Sequence, residues 1–337
     1  MLEAEPRSLQ YLKVESSSTI GIICHRHADV DAYTAAFGLS ELLMKLNGEL
    51  KIKIYAPDGL GLLAKKVQDA IYAEVSEVFA PSEEKRFYVV DTGHASLLKE
   101  ALDYLKASNA EVVFIDHHPP NDSTKEIALA RIVDEKASST AEVVYELFKE
   151  ASIIPTPQTS FALLTGILGD SQNLRLARLR TLGNVVELCK LGADLQEARE
   201  LLWLPRERSE VIARLKGSQR LTIYKVGEWM LATTIIGSFH ASVARALVEL
   251  GADVAFAVGE HEEETRCCLR ATQHFYKQTG LHLGTEIAAK VAEAHNGVGG
   301  GHPTAASLTA KIPEEDLHDI LRNEIAKRLG ATAEPVN

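Results

Sequence analysis

The strongest constraint on this chain is an alternation in its first half. Short apolar runs at residues 19–24, 51–56, 87–90 and 112–115, with a weaker fifth beginning at 132–133, are separated by segments of helical periodicity at 31–47 and 62–73. The first run, Thr-Ile-Gly-Ile-Ile-Cys, is β-branched and short, as a strand should be. Gly48 stops the first helical segment and Pro57 ends the second strand. Strands alternating with helices predict a parallel sheet covered on both faces, and therefore an α/β fold.

From residue 139 the pattern turns helical, with amphipathic segments at 139–150, 159–168, 182–191 and 195–204. Residues 206–220 are charged and helical in pattern. A second α/β signal starts near 221. The runs 221–226 and 229–236 predict a hairpin across Gly227-Glu228. A helix at 241–250 ends at Gly251, strands are expected at 254–258, 266–271 and 306–310, and helices at 287–295 and 314–329. The expected organisation is a parallel-sheet domain over 1–190, a helical linker over 191–220 and a smaller α/β domain over 221–337. A length of 337 residues suits two domains at about 150 residues each.

Chemistry-bearing residues cluster after the strand-like runs. His25-Arg26-His27-Ala28-Asp29-Val30-Asp31 follows the first, Asp91-Thr92-Gly93-His94 another, and Asp116-His117-His118-Pro119 a third; Asp170 ends an apolar helical segment. Open α/β sheets place ligands at the carboxyl ends of their strands, so these groups are expected along one edge. Asp29, Asp31, Asp91 and Asp170 would bring four negative charges together, with no comparable set of Lys or Arg beside the first three motifs. Carboxylates that close repel one another. Two divalent cations would balance them, with His25 and His117 as neutral nitrogen ligands. The mixed donor set suits Mn²⁺, with Mg²⁺ as the alternative. Two such ions about 3.5–4 Å apart form a clamp for in-line attack on phosphorus. Taken singly, Asp29 or Asp31 could cap the next helix, Asp91 could be a turn residue and Asp170 a polar helix end. Two adjacent histidines after an apolar strand have no packing role.

The remaining composition narrows the partners. Lys and Arg number 36 against 47 Asp and Glu, a net charge of −11. That balance favours small or short substrates over a long nucleic-acid track, which wants a basic face. A 46% hydrophobic, 25% charged composition excludes wholesale disorder. No run of 18 apolar residues indicates a transmembrane helix, and the acidic, polar N-terminus is unlike a signal peptide, so a cytoplasmic protein without membrane partners is expected. Cys24, Cys189, Cys267 and Cys268 lack zinc-type spacing and read as small buried residues in a reducing compartment. Cys267 and Cys268, adjacent in a strand, should face opposite ways.

Together these motifs resemble the DHH phosphoesterase superfamily, named for the pattern seen here as Asp116-His117-His118. Near the C-terminus, Gly299-Gly300-Gly301-His302 in NGVGGGHPTAAS resembles the glycine-rich signature of the DHH-associated domain. The likeness runs from about Thr19 to Ala310 and is nearest the short RecJ-like branch with NrnA-type oligoribonucleases. It implies an active site in the cleft between the two domains. It also implies one metal held by His25, Asp29 and Asp91 and a second by Asp31, Asp91, His117 and Asp170. His118 would face the substrate phosphate, and Asp116 would orient its neighbours; these two are the implied catalytic residues. Arg270, in RCCLRAT, together with Gly299, Gly300, Gly301 and His302 in a glycine-rich loop, would grip substrate. The family often has Pro where Ala28 stands, which alters no ligand. His27 and His94 have no fixed role, and Arg175, Arg178 and Arg180 read as a solvated helix face.

The implied activity is Mn²⁺-dependent hydrolysis of phosphodiester bonds in short oligonucleotides to mononucleotides. The implied partners are short oligonucleotides or small nucleotides, and a homodimer is left open. Alternatives at the same site are 3′-phosphoadenosine 5′-phosphate phosphatase and cyclic or linear dinucleotide phosphodiesterase. The glycine-rich signature argues against a DHH-type pyrophosphatase, which carries a different C-terminal domain. A non-enzymatic reading, an inactive RecJ-like replication scaffold, is opposed by the six filled metal positions.

Overall fold

The computed structural model describes residues 8–13, 18–119, 121–261 and 264–336. The first seven residues, read above as unlike a signal peptide, lie outside that range. Contacts divide the chain into two compact units that meet between Leu204 and Pro205.

In the first unit, a short 3-10 turn at Leu9–Tyr11 precedes β1 (Thr19–Ile23), α1 (Val30–Leu46), β2 (Lys51–Tyr55), α2 (Leu62–Ile71) and β3 (Arg86–Val90). A 3-10 turn at Ala95–Leu98 leads to α3 (Glu100–Ala107), β4 (Glu111–Asp116), α4 (Asp122–Lys125) and β5 (Ala130–Val133). Four helices follow: α5 (Thr140–Glu150), α6 (Pro157–Asp170), α7 (Leu179–Lys190) and α8 (Leu195–Leu201). The strands form one sheet in the order β2-β1-β3-β4-β5, and every pairing is parallel. Side chains alternate between its faces. Ile20, Ile22, Tyr88, Val90, Val113 and Ile115 pack into one core with α1, α5 and α6. Ile23, Phe87, Val89, Val112 and Phe114 point the other way, onto Leu98 and α3. The sheet is therefore covered on both faces, as the alternation of strand and helix required.

The second unit begins with α9 (Arg208–Gln219), β6 (Thr222–Val226), β7 (Trp229–Ile235), α10 (His240–Glu249), β8 (Val254–His261) and β9 (Glu264–Ala271). It continues through α11 (Gln273–Thr279), a π-helical turn at Leu283–Ala288, α12 (Ala289–Ala294), β10 (Val298–His302), β11 (Ala305–Ala310), α13 (Glu314–Arg328) and β12 (Ala333–Pro335). Its sheet has the order β10-β11-β9-β8-β7-β6-β12. β7 and β8 run parallel and the other pairs antiparallel. The β6–β7 pair is the hairpin expected across Gly227-Glu228.

Two sequence expectations need correction. The segment 191–220 is not a separate linker. Ala198 of α8 is buried in the core of the first unit. Ala213 of α9 packs with Val243 and Ala244 of α10 in the second, and a Cβ on Gly217 would come within 2.4 Å of Val243 Cγ1. Burial of one face of each helix decides the division, and charge on the other face obscured it. The second correction concerns Gly299–Gly301, which form a strand and not a loop. They pair with β11 as Gly299↔Leu308, Gly300↔Ser307 and Gly301↔Ala306, and of the three only Gly301 has a positive φ, +138°. The glycines serve backbone contact here. A Cβ on Gly299 would lie 2.4 Å from the Ala288 carbonyl oxygen, and one on Gly284 would lie 2.1 Å from the Gly301 carbonyl oxygen. Strand and π-helical turn thus touch through their main chains.

Candidate active site

Strands β1, β3 and β4 end side by side, and their carboxyl ends carry the motif residues. His25 lies just beyond β1, Asp91 just beyond β3, and Asp116 closes β4 with His117 and His118 following. Asp29 caps α1, accepting from the Ala32 N–H at 3.0 Å, so the capping reading and a ligand role coexist in one side chain. Asp31, two residues further on in the first turn of α1, is fully buried. Its Oδ2 accepts from the Thr140 N–H at 2.6 Å and its Oδ1 from the Ala141 N–H at 2.9 Å, at the N-terminus of α5. A helix N-terminus stabilises such a carboxylate.

Asp170 reaches the same place because α6 runs close to α1. A Cβ on Gly166 would fall 2.2 Å from Thr34 Oγ1 and 2.7 Å from Ala141 Cβ. Glycine at that point lets the end of α6 approach His117, whose Nε2 lies 3.3 Å from Asp170 Oδ2. Gly93 similarly leaves room for His118, whose Cβ would be 3.0 Å from an added methyl group. Asp91 has φ +52°, a conformation uncommon outside glycine, found here at the centre of the cluster.

The donor atoms fall into three overlapping sets, each with all members within 4.8 Å of one another: His25, Asp29 and Asp91; Asp31, His117 and Asp170; and Asp91, Asp116, His117 and His118. Asp91 links them. Its Oδ2 is 3.7 Å from His25 Nε2, and its Oδ1 is 3.6 Å from His117 Nε2 and 3.5 Å from His118 Nδ1. Asp116 turns inward on its own motif. Its Oδ1 accepts from the N–H groups of His117 and His118 at 2.8 and 3.0 Å and faces His118 Nδ1 at 2.9 Å. Thr140 was not singled out from the sequence. Its hydroxyl donates to Asp91 Oδ1 at 2.9 Å, and its only signal was the Ser-Ser-Thr-Ala-Glu run that starts α5.

These residues fit divalent cations. His117 Nε2 is buried and makes no hydrogen bond of good geometry, although carboxylate oxygens surround it; a ligand nitrogen looks like this without its metal. The electrostatics agree. Burial, with Asp29, Asp116 and Asp170 nearby, raises the Asp91 pKa to about 6. Burial together with Asp91 and Asp170 pushes Asp31 well above the usual carboxylate range. Burial opposes charge on His25, but its hydrogen bond to Asp29 and the charge of Asp91 outweigh that and raise it to about 9. Carboxylates this close and this buried oppose one another's charge, and cations would relieve that opposition.

The other expected residues lie apart from this cluster in sequence, in the second unit. Arg270 on β9 and His302 on β10 both pair with Ala305, so they share one face of the sheet two strands apart. Arg270 is half-buried, with Nη1 donating to the Leu269 carbonyl at 2.8 Å. His302 is exposed, and a Cβ on Gly300 would meet nothing within 4 Å. In the first unit, Arg180 holds Glu142 through Nε at 3.1 Å and Asp134 through Nη1 at 2.5 Å. Arg178 donates to the Lys136 carbonyl, and Arg175 is exposed. His27 faces the Asp58 carbonyl and His94 the Ser96 hydroxyl. All four cysteines are free, and Cys24, Cys267 and Cys268 are buried. No described helix is long and apolar enough to cross a membrane.

Sequence and structure comparisons show what the chain is similar to. The N-terminal domain of the DHH family matches residues 19–167. A protein of Methanocaldococcus jannaschii is 34% identical over 94% of both chains. A Streptococcus mutans protein named "Probable bifunctional oligoribonuclease and PAP phosphatase NrnA" is 24% identical over 92% of this chain and 96% of its own. Among solved structures, an exopolyphosphatase-related protein from Bacteroides fragilis superposes with a TM-score of 0.62 at 17% identity, covering 96% of each chain, and so shares the fold. The chain belongs to the DHH family of phosphoesterases.

Proposed function

We propose that this protein is a two-metal phosphodiesterase that hydrolyses short oligonucleotides to mononucleotides, with Mn²⁺ as the working ion and Mg²⁺ as the alternative. The observation that carries the reading is Asp91, a buried carboxylate shared between the donor set of His25 and Asp29 and the imidazole of His117. One ion would be held by His25, Asp29 and Asp91, the other by Asp31, Asp91, His117 and Asp170. When bound, such a pair activates water and neutralises the phosphoryl oxygens.

The chain's own residues do the rest. Asp116 fixes His118 through Nδ1, which leaves Nε2 directed away from Asp116 and available to a phosphate oxygen. Asp31 stays seated by the two amides of α5, so its position does not depend on a cation. In the second unit, Arg270 and His302 would grip phosphate, and Gly299–Gly301 offer main chain without side chains at Gly300. Removal of the 3′-phosphate from 3′-phosphoadenosine 5′-phosphate is the second reading, favoured by the paired activities in the name of the Streptococcus relative. A scaffold without activity is disfavoured by a complete donor set.

The deciding experiment is metal-dependent hydrolysis measured side by side on a dinucleotide, a cyclic dinucleotide, a longer RNA, a longer DNA and 3′-phosphoadenosine 5′-phosphate. The dinucleotide should be turned over fastest with Mn²⁺. No hydrolysis of any of them, at full metal occupancy, would return the scaffold reading.

A further inference from the structure

Glu142, in the first turn of α5, is a fully buried carboxylate outside the donor sets of the cluster. Five donors surround it. Its Oε2 accepts from the Ser138 N–H at 2.7 Å, the Ser138 hydroxyl at 2.8 Å and the Thr181 hydroxyl at 3.0 Å. Its Oε1 accepts from Arg180 Nε at 3.1 Å and the Asn184 side-chain amide at 3.2 Å. Arg180, Thr181 and Asn184 all belong to α7. Desolvating a carboxylate is costly, and packed apolar side chains would fill such a space at least as stably. Stability alone therefore does not account for Glu142.

Its position does. Ser139 caps α5, its hydroxyl oxygen accepting from the Glu142 N–H at 3.0 Å. In a capping box, a glutamate at this place reaches back to the N–H of the cap. Here it reaches one residue further, to Ser138, and turns its other oxygen to α7. The two N–H groups between, of Thr140 and Ala141, go to Asp31. The first turn of α7 also fastens the connection from β5 to α5. Arg180 Nη1 donates to Asp134 Oδ2 at 2.5 Å, and Arg178 Nη1 to the Lys136 carbonyl at 3.1 Å. Asp134 in turn donates its N–H to the Asp116 carbonyl at 3.1 Å. There is little slack beneath. A Cβ on Gly166 would fall 2.7 Å from Ala141 Cβ and 3.2 Å from Asp31 Oδ1, so a small shift of α5 reaches the carboxylate.

We propose that the first turn of α7 is a positioning element of the metal cluster. Arg180 and Thr181, acting through Glu142, fix the start of α5 so that its amides seat Asp31 and the Thr140 hydroxyl meets Asp91. This role rests on the two-metal reading above and names the ion it serves, the one assigned to Asp31, Asp91, His117 and Asp170. Asp29 is seated separately, by its bond from the Ala32 N–H within α1, so the other ion depends far less on α7. The far end of the same helix pair supplies a control. Lys149 Nζ donates to Asn184 Oδ1 at 2.7 Å and lies 3.6 Å from Glu187 Oε2, about two turns along α5 from Glu142. Loss of those bonds weakens the pairing of α5 with α7 without moving residue 140.

Amide hydrogen exchange in the full chain without metal, read by NMR, tests the hold on Asp31. Arg180→Met and Thr181→Val should each speed exchange of the Thr140 and Ala141 amides by about tenfold. Thr181→Ser, which keeps the hydroxyl, should exchange like the wild type. Titration calorimetry with Mn²⁺ tests the consequence. Arg180→Met and Thr181→Val should weaken one ion by about tenfold, the low end of what loss of an orienting group costs, and leave the other. Lys149→Met should lower the melting temperature and change neither exchange at 140 and 141 nor Mn²⁺ affinity. Unchanged exchange in both α7 variants would overturn the proposal. So would faster exchange with both Mn²⁺ affinities intact, or an equal loss of affinity in Lys149→Met. A wild-type chain that binds no Mn²⁺ would overturn the two-metal reading instead, and the exchange rates would still decide whether α7 holds Asp31 in place.

Discussion

Thr140 orients Asp91: its hydroxyl donates to Asp91 Oδ1 over 2.9 Å, while its backbone N–H donates to Asp31 Oδ2 over 2.6 Å. The first residue of α5 therefore ties together two carboxylates that arrive from different strands and helices. Thr140→Val keeps the backbone bond and the shape but removes the hydroxyl. It should lower Mn²⁺ affinity by about 10–100-fold, the usual cost of losing a group that orients a ligand. Thr140→Ser should restore most of it. Titration calorimetry with Mn²⁺ alone measures both, and equal affinity in the valine variant would mean that Asp91 is held without the hydroxyl.

Asp91→Ala removes a carboxylate shared by two of the three donor sets and proposed to serve both ions. Turnover should fall by about a thousandfold or more, roughly 4 kcal/mol in the barrier, and metal analysis should show loss of more than one equivalent. Wild-type turnover at saturating Mn²⁺ would exclude a shared carboxylate.

Arg270→Ala and His302→Ala address the second unit. Each should raise KM for a dinucleotide by about tenfold or more, the scale of a lost charge-assisted hydrogen bond, with bound metal unchanged. Loss of metal from either variant would contradict the assignment of these residues to substrate.

Substrate length is the next expectation. Few phosphate contacts are in view, and aromatic residues make up only 6% of the chain. Long single strands need basic grooves with stacking platforms. Catalytic efficiency should peak at roughly two to five nucleotides and weaken only modestly with salt. Efficiency that climbs steadily with length, with a steep salt dependence, would point to a basic track and a processive enzyme.

Acid stability can be read from Glu84, far from the metal cluster in function. Its buried carboxylate accepts from the Tyr55 hydroxyl at 2.5 Å and from the Ser82 and Glu83 amides at 2.6 and 2.9 Å. Burial alone would raise its pKa; these bonds prevail and lower it from 4.5 to about 2. A depressed carboxylate contributes stability that is present above the unfolded value and is lost as pH falls towards 2. Glu84→Gln should therefore be less stable than wild type at pH 6, and the gap should narrow as pH drops below about 5 and close only near pH 2. Urea midpoints at three pH values measure this; a gap of constant size would mean that the shape of Glu84, not its charge, matters.

Much of the fold was legible because its signals are local. The runs at 19–24, 51–56 and 112–115 were strands by composition alone, and their alternation with helices required the parallel sheet. The gathering of His25, Asp91 and His117 followed from the rule that strand ends carry function. What escaped notice depends on neighbours. β12, Ala-Glu-Pro, has no apolar alternation and exists through its pairing with β6. The run Gly299–Gly301 has no side chains to show periodicity, so its strand character comes from β11 and from the π-helical turn behind it. Thr140 looked like one more residue of a helix start, because its partner Asp91 lies 49 positions away.

That glycine run also sorts its own mutations. At positions 299 and 301 an added methyl group strikes main-chain atoms at 2.4 and 2.5 Å, so even alanine there disturbs the architecture. At position 300 it enters open space. Two kinds of damage that are usually entangled, to the scaffold and to what the scaffold holds, are separated along three consecutive residues. Alanine at 300 leaves the protein's own packing undisturbed, so whatever it obstructs comes from outside the chain.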